Sequence, residues 1–208
     1  MSAYIYQKAT FMLGVANLSQ LPEDHGLEVA FAGRSNAGKS SALNVITGQR
    51  SLARTSKTPG RTQQMNYFML DETRYLVDLP GYGYAKVPVA VKERWQKVIG
   101  EYLRTREGIC GLVIVMDARR PLTPYDRQLL DWCYEANLSA HILLTKSDKL
   151  SRGAANNMLQ QVRKELREIY PVKSDVEHLS ITVQLFSALK KTGVDEVRKQ
   201  LDGWLSVN

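Results

Sequence analysis

The run LEVAFAGRSNAGKSSALNVI, Leu27 to Ile46, decides the fold. Its apolar opening reads as a strand and its end, from Lys39 to Ile46, as a helix. Between them GRSNAGKS, Gly33 to Ser40, matches G-x-x-x-x-G-K-[ST] in the strand-then-helix setting that gives the pattern its meaning. Glycines let a backbone wrap close to phosphate oxygens, and the following helix N-terminus aims free N–H groups and a positive dipole end at them. The cradle is Gly33, Arg34, Ser35, Asn36, Ala37 and Gly38, with Ser41 beside it; Lys39 is placed to reach β and γ phosphates and the Ser40 hydroxyl to ligate Mg2+.

Outward from this loop, short apolar runs alternate with amphipathic ones, which predicts a parallel sheet covered by helices on both faces. Strands are expected at LEVAFAG from Leu27, MNYFML from Met65, RYLVDL from Arg74, GLVIVMD from Gly111, AHILLT from Ala140, and within HLSITVQLFS from His178. Helices are expected over Lys39 to Ile46, Ala90 to Arg104, Pro124 to Ala136, Gly153 to Ile169 and Val194 to Leu205. MNYFMLDETRYLVDL reads as a hairpin turning at Asp71 and Glu72. The expectation is one α/β domain over residues 1–208, a mostly parallel six-stranded sheet with one antiparallel edge strand, and residues 1–26 as a docking segment.

Composition narrows the partners. The chain has 208 residues and a formal charge of +7, from 28 Lys and Arg against 21 Asp and Glu, which favours polyanions. Cations gather in expected loops: Arg50, Arg54, Lys57 and Arg61; Arg104 and Arg106; Arg119 and Arg120; Lys146, Lys149 and Arg152; Lys190 and Lys191. No aromatic residues interleave with them as in a single-strand stacking platform, and no DNA sequence readout is expected. Cys110 and Cys133 lie in or beside apolar runs and read as reduced core residues. No apolar run reaches the roughly 20 residues of a membrane span, so a cytoplasmic protein is expected; a monomer without membrane partners is expected as well. The histidines lack metal-ligand spacing, and Trp95, Trp132 and Trp204 read as packing residues.

The phosphate cradle alone leaves ATPases and small-molecule kinases open. Two later stretches narrow the choice. DLPG, Asp78, Leu79, Pro80 and Gly81, ends a strand 39 residues after Lys39 (78 − 39). An Asp there can hold Mg2+ through water, and the Gly81 N–H can contact a γ phosphate and sense its loss. LTKSDK, Leu144 to Lys149, carries Thr145, Lys146, Ser147 and Asp148. The Asp148 carboxylate suits the paired N1–H and N2–H donors of guanine and repels the acceptor edge of adenine. Lys146 can lie along the purine face, and the Thr145 hydroxyl can contact the phosphate loop. After the last strand come Phe186, Ser187 and Ala188, where the N–H groups of Ser187 and Ala188 could bond guanine O6. Thr55, Thr58 and Thr62 each remain open as the second Mg2+ hydroxyl.

With these residues assembled, the chain resembles the EngB family (also called YihA or YsxC) of bacterial ribosome-assembly GTPases, in the TRAFAC class. GRSNAGKSS, ARTSKTPGRTQ, VDLPGYGYA, LLTKSDK and GVDEVR stand in that family's order and spacing across the chain. In that family the guanine motif begins with Thr. The resemblance implies a Ras-like P-loop GTPase fold, binding of GTP or GDP with Mg2+, association with the precursor of the large ribosomal subunit and its RNA, and a need for the protein in cell division and septation. It selects Thr62 within Gly60, Arg61, Thr62, Gln63 and Gln64.

Tyr82 follows Gly81, where many GTPases carry a water-orienting Gln. Intrinsic hydrolysis is therefore expected to be slow and stimulated by a partner, with Lys39, Thr62, Gly81 and Asn36 as the catalytic set. The Asn36 carbonyl could hold a bridging K+, by analogy with other GTPases. The rival readings are a binding switch with negligible turnover and a P-loop ATPase.

Overall fold

In the computed structural model of the chain, residues 2–53, 64–82, 89–173 and 179–207 are described. Among the described residues seven strands form one sheet: β1 Thr10–Val15, β2 Leu27–Gly33, β3 Met65–Asp71, β4 Arg74–Asp78, β5 Ile109–Asp117, β6 Ala140–Thr145 and β7 Ile181–Leu185. Six α-helices accompany them among the same residues: α1 Ser2–Gln7, α2 Lys39–Thr47, α3 Val89–Thr105, α4 Pro124–Glu135, α5 Arg152–Ile169 and α6 Val194–Trp204. The strand order is β1-β3-β4-β2-β5-β6-β7. Only β3 runs against the others, pairing antiparallel with both β1 and β4.

The sheet therefore has seven strands rather than the six expected, and its antiparallel strand lies one place in from the edge. The extra strand is β1, in the segment read as a docking arm. Its residues from Thr10 to Met12 are exposed and only Val15 is buried, so it carries no in-out alternation that would mark it as a strand. Helix α1 precedes it, and Tyr6 is buried with its hydroxyl donating to Asp202 of α6 at 2.6 Å.

Burial follows the topology. The interior strands β2 and β6 are covered on both sides and read as continuous apolar runs, as parallel strands under helices do. One face packs Ile99 and Tyr102 of α3, Leu129 and Cys133 of α4, and Val162 and Leu166 of α5; the other packs Tyr6 of α1, Leu43 and Ile46 of α2, and Val197 and Leu201 of α6. Both cysteines are free, and burial pushes the Cys110 thiol up to about 11. Among the described residues no helix is long and apolar enough to cross a membrane. Because β2, β4, β5, β6 and β7 are parallel, the loops after them open at one end of the sheet, where ligands bind in open α/β folds.

Candidate functional site at the carboxyl ends of the strands

The phosphate loop leaves β2 at Gly33, where a Cβ would sit 2.8 Å from the Val115 carbonyl of the neighbouring strand. Only glycine allows so close a passage. Further on, Asn36 (φ 65°) and Gly38 (φ 104°) adopt the left-handed conformation, and the Ala37 N–H closes a turn onto the Arg34 carbonyl at 2.9 Å. These reversals curl the backbone into a concave loop that ends on the first residue of α2, Lys39. The Lys39 ammonium donates to Asp78 at the end of β4, with both side chains about nine-tenths buried. Two residues 39 apart in sequence, expected to face phosphate and Mg2+, thus meet.

Asp78 to Tyr82 lies against this loop. Leu79 N–H donates to the Phe31 carbonyl at 2.9 Å, Ser35 N–H donates to the Tyr82 carbonyl at 2.8 Å, and Tyr82 N–H donates to the Gly33 carbonyl at 3.4 Å. Gly81 is consequently seated on the loop, its Cβ position 3.5 Å from Ser35 Cα. The Tyr82 side chain takes the opposite course: it is 3% exposed, its hydroxyl donates to Asp126 of α4 at 2.5 Å, and its ring lies 5.2 Å from Trp95 and 6.1 Å from Tyr125. Burial first, and Asp126 second, hold the phenol well above its usual pKa, so it stays neutral. The position that many GTPases give to a water-orienting Gln faces the α3–α4 wall.

At the base end, Thr145 terminates β6 with its hydroxyl 2.5 Å from the Ala37 carbonyl and 2.9 Å from that of Met116. This is the loop contact expected of Thr145. Lys146, left-handed at φ 55°, reaches back so that its ammonium donates to the Asn36 carbonyl at 2.6 Å and to Asp117 at 3.0 Å. The Arg119 guanidinium, its N–H and then Lys146 hold the Asp117 carboxyl far below the usual carboxylate range. Ser147 donates from its N–H and its hydroxyl to the Phe186 carbonyl, at 3.2 and 3.0 Å. Ser187 donates its hydroxyl to Asp148 Oδ1 at 2.6 Å and accepts from Lys190 N–H at 3.1 Å. That bond fixes the carboxylate plane and leaves lone pairs for a donor pair on a base.

One expected contact is corrected. The Ser187 N–H donates to the Thr192 carbonyl at 3.1 Å and is returned by Thr192 N–H at the same distance, a small bridge that closes the loop. With its N–H in that bridge, Ser187 meets the base end through its hydroxyl, on Asp148.

Gly60, Arg61, Thr62 and Gln63 lie outside the described residues, as do Thr55 and Thr58. Gln64 is exposed, with its amide oxygen against Gly14 of β1, 2.9 Å from where a Cβ would stand. Ser41 is exposed on the first turn of α2. Sequence reasoning missed Asn44, whose side chain holds both ends of Ala53 (2.8 Å to its N–H, 3.0 Å to its carbonyl) and so ties the loop after α2 back to that helix. It also missed Asp117, Asp126 and Trp95; a strand ending in Asp beside an Arg pair was the one visible signal, for Asp117.

The donors at hand are hydroxyls and carboxylates, and among the described residues no three His, Cys, Asp or Glu cluster into a protein cage. Such a set fits Mg2+, which keeps waters and substrate phosphates around it; Ser40 and, through water, Asp78 would hold it.

Comparison with known proteins agrees with this geometry. A family model described as a 50S ribosome-binding GTPase matches residues 28–146. The chain is 56% identical over 203 residues to a probable GTP-binding protein EngB of Nitrosococcus oceani, covering 98% of each. It is 54% identical to the corresponding protein of Stenotrophomonas maltophilia, again over 98% of each. Among solved structures, a probable GTP-binding protein EngB superposes with a TM-score of 0.66 at 22% identity, over 87% of this chain and all of that one. Era in complex with MgGDPNP and a 16S ribosomal RNA fragment superposes at 0.61 with 20% identity, over 87% and 57%. A phosphate loop, a D-x-P-G turn seated on it and a Ser-braced Asp148 at one sheet end thus belong to a GTPase domain, and the chain is a member of the EngB family of GTP-binding proteins.

Proposed function

We propose that the protein is a slow GTPase that switches state with its nucleotide and engages the precursor of the large ribosomal subunit, through its RNA, during assembly, as cell division and septation require. The observation that carries the enzymatic part is the direction of Tyr82. Its side chain is bonded to Asp126 and sits in the α3–α4 wall, so this chain brings no water-orienting group from that position. The ribosomal part is supported by the +7 charge and by the match to a family of 50S ribosome-binding GTPases.

The residues divide the work as follows. The loop N–H groups of Asn36 and Gly38 and those of Lys39 and Ser40 at the start of α2 receive the phosphates, and Lys39 leaves Asp78 for the β and γ oxygens. Mg2+, when bound, neutralises charge on those oxygens. Gly81 offers its N–H to the γ phosphate, and Thr62 offers the second hydroxyl. Asp148 accepts from the two N–H donors of guanine, while the aliphatic stem of Lys146 covers the purine face between Asp148 and the phosphate loop. Asn36 is exposed on the loop and its side chain has no partner among the described residues, which suits it to a K+ bridging the phosphates. Basic groups, Arg54, Lys57, Arg61 and Lys86 among them, are proposed to meet RNA.

Multiple-turnover phosphate release tests this reading, with free protein and with large-subunit particles, in K+ and in Na+. Slow release that rises with particles and with K+ is expected. Rates indifferent to particles would remove the partner from the mechanism, and no release under any condition would leave a binding switch, the second reading that the direction of Tyr82 favours.

A further inference from the structure

We infer that Tyr82 is a positioning residue, clamped by Asp126 and flanked by Trp95, that holds the Gly81 N–H ready for a γ phosphate before any nucleotide arrives. The inference rests on the family's GTP binding and not on the ribosomal proposal. Six hydrogen bonds carry it. Both backbone groups of Tyr82 are bonded to the phosphate loop, to Gly33 and Ser35. Its hydroxyl is bonded at 2.5 Å to Oδ1 of Asp126. The other oxygen of Asp126 accepts from the Thr123 N–H at 2.8 Å and the Thr123 hydroxyl at 2.7 Å, so the carboxylate is fixed at the start of α4 and cannot follow Tyr82 if the turn shifts. On the near side of the glycine, Trp95 Nε1 donates to the Pro80 carbonyl at 2.9 Å.

Gly81 is therefore pinned on both flanks, Pro80 to α3 and Tyr82 to α4, while it is itself exposed at the loop. A pinned donor adds little ordering cost when its acceptor binds, which is the advantage of preorganisation. The acceptor is the γ phosphate, so the advantage belongs to GTP and not to GDP. A tyrosine at this position thus does a different job from glutamine: it gives up orienting water and fixes the sensor of the γ phosphate.

The experiment compares GDP and a non-hydrolysable GTP analogue by equilibrium titration with the full chain, in native protein, Tyr82→Phe and Trp95→Phe. Tyr82→Phe keeps the ring and removes one charge-assisted hydrogen bond. We expect GTP-analogue affinity to fall about tenfold, one such bond's share, with GDP affinity within about twofold of native. Trp95→Phe is expected to act in the same direction and more weakly, and it carries the test if Tyr82→Phe does not fold. Equal losses for both nucleotides, or none for either, would show that the clamp only packs the α3–α4 wall and would overturn the inference. Loss of melting temperature alone does not discriminate, because packing predicts that too.

Discussion

At the scale of single residues, Lys39, Thr145, Lys146 and Asp148 are each held by a partner remote in sequence, and those partners set what a substitution does. Thr145 shows it. Its buried hydroxyl serves the carbonyls of Ala37 and Met116, tying the base loop to the phosphate loop. Thr145→Val keeps the shape and strands those carbonyls, so urea unfolding should show a loss of about 1–3 kcal/mol. GTP and GDP should weaken together, because the tie serves both. Tyr82→Gln is expected to leave phosphate release no faster than native, since the side chain at that position enters the α3–α4 wall; a faster variant would mean that the wall yields to a polar amide. The residues named by motif were legible because their spacing is fixed by phosphate and base geometry. Asp126 was not: it lies 44 residues from Tyr82 and enters as the third residue of a capping box, a pattern that says helix start and nothing of what its second oxygen holds.

At the scale of elements, the interior strands and long helices were readable, since continuous apolar runs and helical spacing survive in sequence. The edge was not. Strand β1 is largely exposed and pairs with β3 through an irregular register between Phe11 and Leu13, so neither alternation nor length marks it. Invisible too was the anchor at the far end of β2, where Glu28 is 1% exposed and accepts from Arg106 at 2.6 and 2.9 Å, Tyr102 at 2.7 Å and Tyr67 at 3.1 Å. Arg106, expected among the loop cations, is instead buried against this carboxylate. Arg106→Met would leave its carboxylate buried without a counter-ion and is expected to cost about 3–5 kcal/mol in chemical denaturation; replacing Glu28 with Met as well should recover part of that, because the buried pair itself gains little net stability. Nucleotide affinity should be affected less, as this network sits at the end of the sheet opposite the site.

For the whole molecule, pH dependence has an identifiable buried source. His141, 4% exposed, is bonded to Thr182 at 2.7 Å and to Gln184 at 2.8 Å, and burial lowers its pKa against the opposing pull of Gln184. Its folded pKa lies below the unfolded value of about 6.5, so the unfolded chain binds the proton first as pH falls. Stability is complete above that value and declines below it, towards the folded pKa. Melting temperature should therefore drop as pH falls below about 6.5, and His141→Asn should flatten that slope; an unchanged slope would assign it to other groups. The Asp117 carboxyl, held low by Arg119 and Lys146, contributes in a separate window, present above about pH 4 and lost only under strong acid.

Nucleotide affinity tests whether this end of the sheet reads guanine through Asp148 in the brace of Ser187. GDP, GTP, ATP and xanthosine nucleotides should be titrated against native protein and Asp148→Asn. Guanine preference is expected in the native chain and a shift towards xanthine in the variant, whose amide donates to the xanthine carbonyl and no longer matches both guanine donors. Native protein that binds ATP as well as GTP, or a variant whose base preference is unchanged, would contradict it.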